Sequence, residues 1–419
     1  MQRYLVGAAV LALTAGAAQA GGLDRSQQSV LSVFSPDNTF DLSFGVVTPT
    51  ITGSDALGTD YDVGESYTQI GLSYTKQIND QFALALIFDQ PFGADINYDS
   101  DPLTSTLGGT MADLNSKAFS AVGKYQLNDR VSVFGGLRIQ GVDAKVALNG
   151  VAYRNAITVA GVAATVPGLD SSLLAAALGG DVTAATAIDT TYGLGTTASL
   201  GAAVTTAQGT FAATNGYNFE MANDYAVGYT LGAAYEIPDI ALRLAATYHS
   251  EIEHTADTTE SLLGSATNST VTYVTPQSFN LDFQTGIAAN TLLMASYRWA
   301  EYEKVDVIPT ALGSDLVNLG NSQRYTLGIG RKFSDNFSGS ITLSYEPEGG
   351  DDTVSPLGPT DGLMGITIGG KYTKGNTSIS GGINYTKLGD ADAGVADTAV
   401  ASFSDNSVVG IGFKISTTF

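Results

Sequence analysis

Alternation of apolar with polar or very small residues is the feature that most restricts this chain. In "FSGSITLSYE", Phe337, Gly339, Ile341, Leu343 and Tyr345 fall on one side, and Ser338, Ser340, Thr342 and Ser344 on the other. "YAVGYTLGAAY" sets Tyr225, Val227, Tyr229, Leu231, Ala233 and Tyr235 against Ala, Gly and Thr. In the last stretch, Val409, Ile411, Phe413 and Ile415 alternate with Gly410, Gly412, Lys414 and Ser416, and the chain stops on Phe419. Successive strand residues point to opposite faces, so this period predicts strands with one apolar and one polar face.

Two kinds of connection separate these strands. One is short and built from turn formers: Asn79-Asp80, Asn128-Asp129, Pro238-Asp239, Ala289-Asn290, Asp335-Asn336 and Gly375-Asn376. The other is longer and polar, at about 54–66, 98–114, 148–222, 254–268, 306–322, 347–360 and 389–404. Six short and seven long connections make thirteen, hence fourteen strands with both termini on the short-turn side. Composition decides where such a sheet can live. Only 14% of the 419 residues are charged and 44% are hydrophobic, against roughly a quarter charged in soluble domains. Lipid cannot satisfy backbone N–H and C=O groups, so a sheet with an oily face must close on itself to span a membrane. The expected fold is therefore all-β: a 14-stranded antiparallel transmembrane β-barrel with short periplasmic turns and long extracellular loops. Tyr225, Tyr235, Tyr297, Trp299, Phe337 and Tyr345 near strand ends suit interfacial girdles. A soluble β-sandwich fits less well, because the apolar face recurs on nearly every strand.

The beginning of the chain, "MQRYLVGAAVLALTAGAAQA", has the charge, short apolar run and Ala18-Gln19-Ala20 site of a cleaved signal peptide over residues 1–20. The formal charge of -22 falls to -23 once Arg3 is removed (-22 - 1). That acidity and the lack of a basic patch exclude nucleic acid as a partner. There is no Cys, so disulfides and thiolate metal sites do not arise. Residues 21–38 read as a short luminal segment and 39–419 as the barrel, with 148–222 a long extracellular loop.

The order of "INDQFALALIFDQPFGADINY" (78–98), "DAKVALNG" (143–150), "GAAYEIPDIALRLAATYHSEIE" (232–253), "LLMASYRWAEYEKVDV" (292–307) and "RYTLGIGRKFSDNFSGSITLSYEPE" (324–348) resembles the FadL/TodX family of outer-membrane transporters for long-chain fatty acids and other hydrophobic compounds. "TYHSEIE" is similar to the family's T-Y-R-S-E-V element, with His249 where Arg is usual. The resemblance implies a cell outer-membrane location, passive uptake of a long-chain fatty acid or other hydrophobic small molecule, and neither enzyme activity nor a cofactor. The terminal Phe419 resembles the signal read by the outer-membrane assembly machinery; membrane lipid and lipopolysaccharide would surround a barrel expected to be a monomer. Two departures stand out. The family's longer N-terminal hatch with its Asn-Pro-Ala element is missing here, leaving "GGLDRSQQSVLSVFSPDN", whose Leu23, Val30, Leu31, Val33 and Phe34 would pack in the lumen while Asp24 and Arg25 bond its wall. Leu148 stands where the family has a ligand-binding Arg.

Candidate site residues follow. Pro91 and Gly93 are unfavourable inside a paired strand; in the family the third strand carries an inward kink that lets solute leave sideways, which falls here on Asp89, Gln90, Pro91, Phe92 and Gly93. Alternation turns Arg138, Arg243, Arg298 and Arg324 inward, where a guanidinium can fork onto a carboxylate; Asp41 and Asp282 are the expected protein partners. "LDSSLLAAALGG" reads as a short helix capped by Asp170 or Ser171 and stopped by Gly179-Gly180, with Leu173, Leu174 and Leu178 as an apolar lip for solute. No metal site is expected: His249 and His254, five apart, fall on opposite faces of a regular strand. A hydrolase would need an orienting acid and a Ser beside His249 on the same face, and Ser250 is on the other. The alternative transport reading is a general or ion-selective diffusion porin, which requires a continuous wet bore.

Overall fold

The computed structural model describes residues 23–350 and 353–419. The expected signal peptide lies outside the described residues. Fourteen antiparallel strands close into one barrel. They are β1 (Thr39–Thr50), β2 (Tyr67–Gln77), β3 in two pieces (Phe82–Asp89 and Gly93–Asn97), β4 (Met111–Gln126), β5 (Val131–Leu148) and β6 (Tyr217–Ile237). Then come β7 (Leu242–His249 and Ile252–Leu262), β8 (Ser265–Thr275 and Ser278–Ala288), β9 (Thr291–Ala300) and β10 (Ser322–Lys332). β11 (Phe337–Glu346), β12 (Leu363–Lys374), β13 (Thr377–Leu388) and β14 (Ser407–Thr418) complete the wall. The seam joins β1 to β14 from Thr39 opposite Thr418 to Thr50 opposite Ser407. Among the described residues no helix is long and apolar enough to cross a membrane; the strands do the crossing. Phe44, Leu137, Leu231, Leu327, Ile341, Ile368 and Phe413 are exposed on the outer wall, while Ser132, Thr230, Ser340 and Thr386 are buried inside. The outside is oily and the inside polar, as the alternation predicts.

One expected loop is not a loop. Residues 254–268 belong to a hairpin, with Leu262 opposite Ser265 and only Leu263 and Gly264 between. Both turn residues have positive φ, 51° and 79°, the geometry that matches the twist of paired strands. The hairpin escapes a search for apolar faces because "HTADTTESL" and "SATNSTVT" are polar on both sides: beyond the bilayer a strand has no oily face to show. A related correction concerns the histidines. Strand pairing lapses at Ser250 and Glu251, which resets the alternation, so His249 and His254 are both buried in the interior. They do not share a partner: His249 Nδ1 lies 2.9 Å from Thr230 Oγ1 and His254 Nδ1 3.3 Å from Asp224.

The stretch 148–222 folds into four helices, α1 (Gly150–Ala163), α2 (Ser171–Leu178), α3 (Val182–Tyr192) and α4 (Thr196–Ala213), before β6 begins at Tyr217. α2 is the expected helix, with Asp170 accepting from Ser172 N and Gly179 at its C-cap. The others were hidden by Thr, Val and Gly, which lower intrinsic helix propensity; packing among Ala163, Leu174, Ile188 and Val204 holds them instead. Beyond the ends of β1 and β13, Thr52–Asp55, Asp60–Asp62, Ala391–Val395 and Thr398–Phe403 form a small separate sheet at the long-loop end. Asp55 fastens it, accepting from Tyr61 Oη at 2.6 Å and Thr106 N at 2.8 Å. Burial pushes the Asp55 carboxyl up, but these bonds and one from Thr59 outweigh it and hold it well below the usual range. A depressed carboxylate stabilises above its unfolded pKa of about 3.9, so this fastening is complete at neutral pH and weakens only in acid.

The two faces of one strand provide a direct test. Ile341→Arg puts a charge on the exposed outer face midway along β11 and is expected to cost about 2–4 kcal/mol of stability in bilayers. Ile341→Leu should leave stability within about 0.5 kcal/mol of the natural chain. Denaturant titration of barrels refolded into vesicles checks both.

Candidate functional site

The ladder between consecutive strands is interrupted between β6 and β7, from His249 opposite Thr230 to Thr258 opposite Met221, and between β2 and β3, where a strand also leaves the wall. β2 and β3 pair from Gln77 opposite Ala83 to Leu72 opposite Phe88, and there the ladder stops. It resumes only near the rim, where Glu65 N donates to Asp95 O at 3.1 Å and Asn97 N to Val63 O at 2.9 Å. Between these points Gln90 and Pro91 belong to no strand. Pro91 has no N–H to give, so a ladder through it would be broken in any case. The side chain of Gln90 patches the gap, accepting from Ile70 N at 2.7 Å through Oε1.

The residues that leave the wall are caught inside by the N-terminal segment. Arg25 N donates to Pro91 O at 2.8 Å, and Gly93 N donates to Leu23 O at 2.9 Å. Ser116 Oγ accepts from Phe92 N and donates to Phe92 O, each at 2.7 Å. Ser26 Oγ donates to Asp89 at 2.6 Å. Arg25 pairs with Asp95 and lies over the Tyr67 ring, 3.9 Å from its centroid. The Arg25 guanidinium occupies the space where a methyl group at Gly93 would lie, so a larger residue there would have to push it aside. On the far wall Asp24 pairs with Arg298, whose Nη1 also donates to Asn280 at 2.9 Å and to Gln27 O at 3.1 Å. Farther down, Val30 and Val33 are buried against Ala85, Val122 and Phe134. Phe34 packs edge-on to Phe134 at 5.5 Å, and Arg243 stands over its ring at 4.7 Å.

Segment and kink together form a septum. Toward the mouth is an apolar cavity of about 90 Å³, bounded by Leu23 and Phe92 below and by Leu114, Val146, Phe219, Val307, Leu316 and Leu357 around. Toward the short-turn end is a cavity of about 330 Å³ with a mixed lining, polar at Ser26, Asp41, Ser73, Arg298, Thr342 and Lys414 and apolar at Leu31, Phe44, Val47 and Ile87 among others. Its lining also includes Ile70, Gly71, Leu72 and Phe88, the residues that flank the end of the β2–β3 ladder.

The predicted site residues are distributed as follows. Asp89, Gln90, Pro91, Phe92 and Gly93 lie at the septum and the gap. Arg138, Arg243, Arg298 and Arg324 are all buried in the interior, but their partners differ from those expected. Arg138 meets Asp89 at 3.5 Å and Arg324 meets Glu346 at 3.0 Å. Arg243 donates to Gln284 at 3.1 Å, and Asp41 is taken by Lys414 at 3.0 Å. Leu173, Leu174 and Leu178 do not line either cavity: Leu174 is closed inside the helical cluster, Leu173 packs against it, and Leu178 is exposed. Asp95, Tyr67 and Ser116 were missed; each is an inconspicuous strand residue until a second segment lies against it. Glu260 was missed too. It is fully buried and accepts from Tyr217 Oη at 2.9 Å, Ala311 N at 2.9 Å and Leu312 N at 3.1 Å. It thereby fastens the loop that supplies Val307 and Leu316 to the outer cavity.

Comparison with known proteins agrees with this architecture. A sequence profile for the family described as "Outer membrane protein transport protein (OMPP1/FadL/TodX)" matches residues 37–349. Similar solved structures include a Pseudomonas aeruginosa FadL homologue, at 14% identity over 97% of this chain and 98% of that one, with a TM-score of 0.66. The Pseudomonas putida toluene transporter TodX aligns at 15% identity over 96% of each chain, TM-score 0.60. The Ralstonia pickettii toluene transporter TbuX does so at 12% identity over 97% of each, TM-score 0.59. At such identities these likenesses concern the fold. No curated protein sequence matches the chain.

Removing one partner of a buried ion pair strands the other charge, at a cost of about 3–5 kcal/mol. Asp24→Ala is therefore expected to loosen residues 24–28, with amide exchange at least about a hundredfold faster by the rule of about 1.4 kcal/mol per tenfold. Exchange mass spectrometry on the detergent-solubilised barrel measures it; unchanged protection would show that Asp24–Arg298 does not hold the segment.

Proposed function

The chain belongs to the OMPP1/FadL/TodX family of outer-membrane transport proteins, and from that premise we propose that it takes hydrophobic solutes into the apolar outer cavity and releases them sideways between β2 and β3. The observation that carries this reading is the interrupted ladder from Leu72/Phe88 upward, beside a lumen crossed by the septum. Solute entering at the mouth meets Leu23 and Phe92. Displacing the N-terminal segment opens the cavity below, whose Ile70, Leu72 and Phe88 lead to the gap that Gln90 bridges. One chain holds the whole route, so a monomer suffices.

Long-chain fatty acids are the cargo we favour within the wider class of apolar molecules, aromatic hydrocarbons included. The acyl chain suits the outer cavity. The carboxylate would stay toward the mouth, where Lys145 borders the cavity, is 61% exposed and pairs with Glu220 at 3.3 Å. Such exposed pairs contribute little and exchange readily. The inward arginines are engaged by Asp89, Asp24, Glu346 and Gln284, which speaks against a deep carboxylate site. The septum also weighs against a general diffusion porin, which would show steady ion conductance in planar bilayers.

Ile70→Cys with Gln90→Cys, in a chain with no cysteine of its own, tests the exit. Oxidation should lower initial uptake of oleate and toluene into whole cells at least about fivefold, and reduction should restore it; about fivefold corresponds to roughly 1 kcal/mol. Unchanged uptake with the bond formed would rule out this exit.

A further inference from the structure

The cavity on the short-turn side of the septum is bordered by six charged residues, Asp41, Asp89, Asp282, Arg298, Arg324 and Lys414. Five of them sit in ion pairs: Lys414 with Asp41, Asp89 with Arg138, Arg298 with Asp24 and Arg324 with Glu346. Asp282 on β8, expected from the sequence to be an arginine's partner, is the sixth. No hydrogen bond or ion pair reaches it among the described residues. Its neighbours on every side are already engaged. On the same face of β8, Asn280 donates to Gln27 O at 2.9 Å and Gln284 accepts from Arg243 at 3.1 Å. Opposite it on β9 the Ser296 hydroxyl is bonded to that of Thr326, and opposite it on β7 stands Ala245. Asp282 is only half-buried, and its carboxylate is not among the sealed polar atoms of the interior, so it is open to the cavity it borders. A carboxylate inside a protein without a partner is costly, and an Ala or Ser like those beside it would build the same wall without that cost. An ionised carboxyl only accepts, so what it lacks is a donor.

We propose that Asp282 is a hydrogen-bonding subsite of the lower cavity, which holds hydrophobic cargo by a donating head group, a hydroxyl or an un-ionised carboxyl, and turns away ionised carboxylates. This rests on the transport reading above and narrows its substrate class. The cavity has the two halves such a molecule needs: Leu31, Val47 and Ile87 border it beside the polar residues, so an alkyl chain has apolar wall to lie on while its head meets Asp282. A hydroxyl donating to a charged acceptor makes one of the stronger hydrogen bonds, whereas two carboxylates brought together repel. The choice suits the exit as well. A head group that passes between β2 and β3 leaves water for lipid, and the cost of that is far higher for an ion than for a neutral group. A long-chain acid accordingly crosses the lower cavity un-ionised.

Three probes of similar length, 1-decanol, its isomer 1-methoxynonane and decanoate ionised at pH 8, test this by equilibrium binding to the purified mature protein and to D282A and D282N. Comparing variant with natural protein for each probe cancels the differences in their intrinsic hydrophobicity and in their partition into detergent. In D282A the preference for decanol over decanoate, read as the ratio of their dissociation constants, should fall at least about fivefold, roughly 1 kcal/mol, with 1-methoxynonane within about twofold of the natural protein. D282N keeps the volume and removes the charge, and decanoate should bind it more tightly relative to 1-methoxynonane. A smaller fall in D282A, equal losses of decanol and 1-methoxynonane, or no tightening of decanoate in D282N would overturn the proposal. The transport reading would stand in each of these cases, because neither the septum nor the gap involves Asp282. Failure of the natural protein to bind any of the three would overturn both. Retention of the heat-dependent gel shift of a folded barrel in each variant confirms that only the side chain has changed.

Discussion

Everything in this molecule depends on the refusal of lipid to accept hydrogen bonds. A backbone group exposed to hydrocarbon without a partner is too costly to tolerate, so the chain must zip each strand to both neighbours and return β14 to β1. Against that rule the β2–β3 interruption is a costly feature, and the structure shows how its cost is contained. Gln90 lends its side-chain oxygen to Ile70 N, and the displaced backbone of Pro91 to Gly93 is satisfied inside by Leu23, Arg25 and Ser116. The N-terminal segment thus completes the hydrogen bonding of a strand that has left the wall. Wall and segment are one structural unit, and whatever moves the segment also withdraws support from the kink.

Between the apolar clusters of the interior lies a band of charge pairs. Asp24–Arg298, Arg25–Asp95, Arg138–Asp89 and Arg324–Glu346 all cluster about the level of the septum. Buried pairs of this kind are poor sources of stability compared with apolar packing, yet stringent about geometry. Two of them, Asp24–Arg298 and Arg25–Asp95, hold the N-terminal segment in one position across the lumen. Below them, Val30, Val33 and Phe34 add the apolar contacts that anchor the segment's lower end.

The barrel was legible because the bilayer imposes a strict period of two, and a strict period leaves a plain trace in the sequence. Strand count, short turns and inward arginines all follow from it. Legibility ended where the bilayer ended. The β7–β8 hairpin beyond Glu251 has two polar faces and reads as loop, and α1, α3 and α4 are interspersed with Thr, Val and Gly, which lower intrinsic helicity and leave packing to hold them. In the site, Pro91 and Gly93 mark the kink by their own chemistry, and Asp24 and Arg25 mark a segment that needs counter-charges. Their partners did not follow: Asp95, Glu346 and Ser116 look like any lumen residue, and only the path of another stretch of chain gives them a task. Leu174 misled for the converse reason, since an apolar helix face gives no sign of whether it meets solute or a neighbouring helix.

The two cavities differ in character, and that difference has a directional consequence. The lower one sets Ser73, Thr342, Asp41 and Lys414 on some sides against Ile70, Leu72 and Phe88 at the end of the β2–β3 ladder. On the proposed route, a greasy molecule standing there would have polar wall on one side and the edge of the bilayer on another. Each methylene that trades water for hydrocarbon gains about 0.8 kcal/mol, so a dozen of them would outweigh a modest barrier at the break. An exit there would need no firm grip on its passenger, only a drier place beside it.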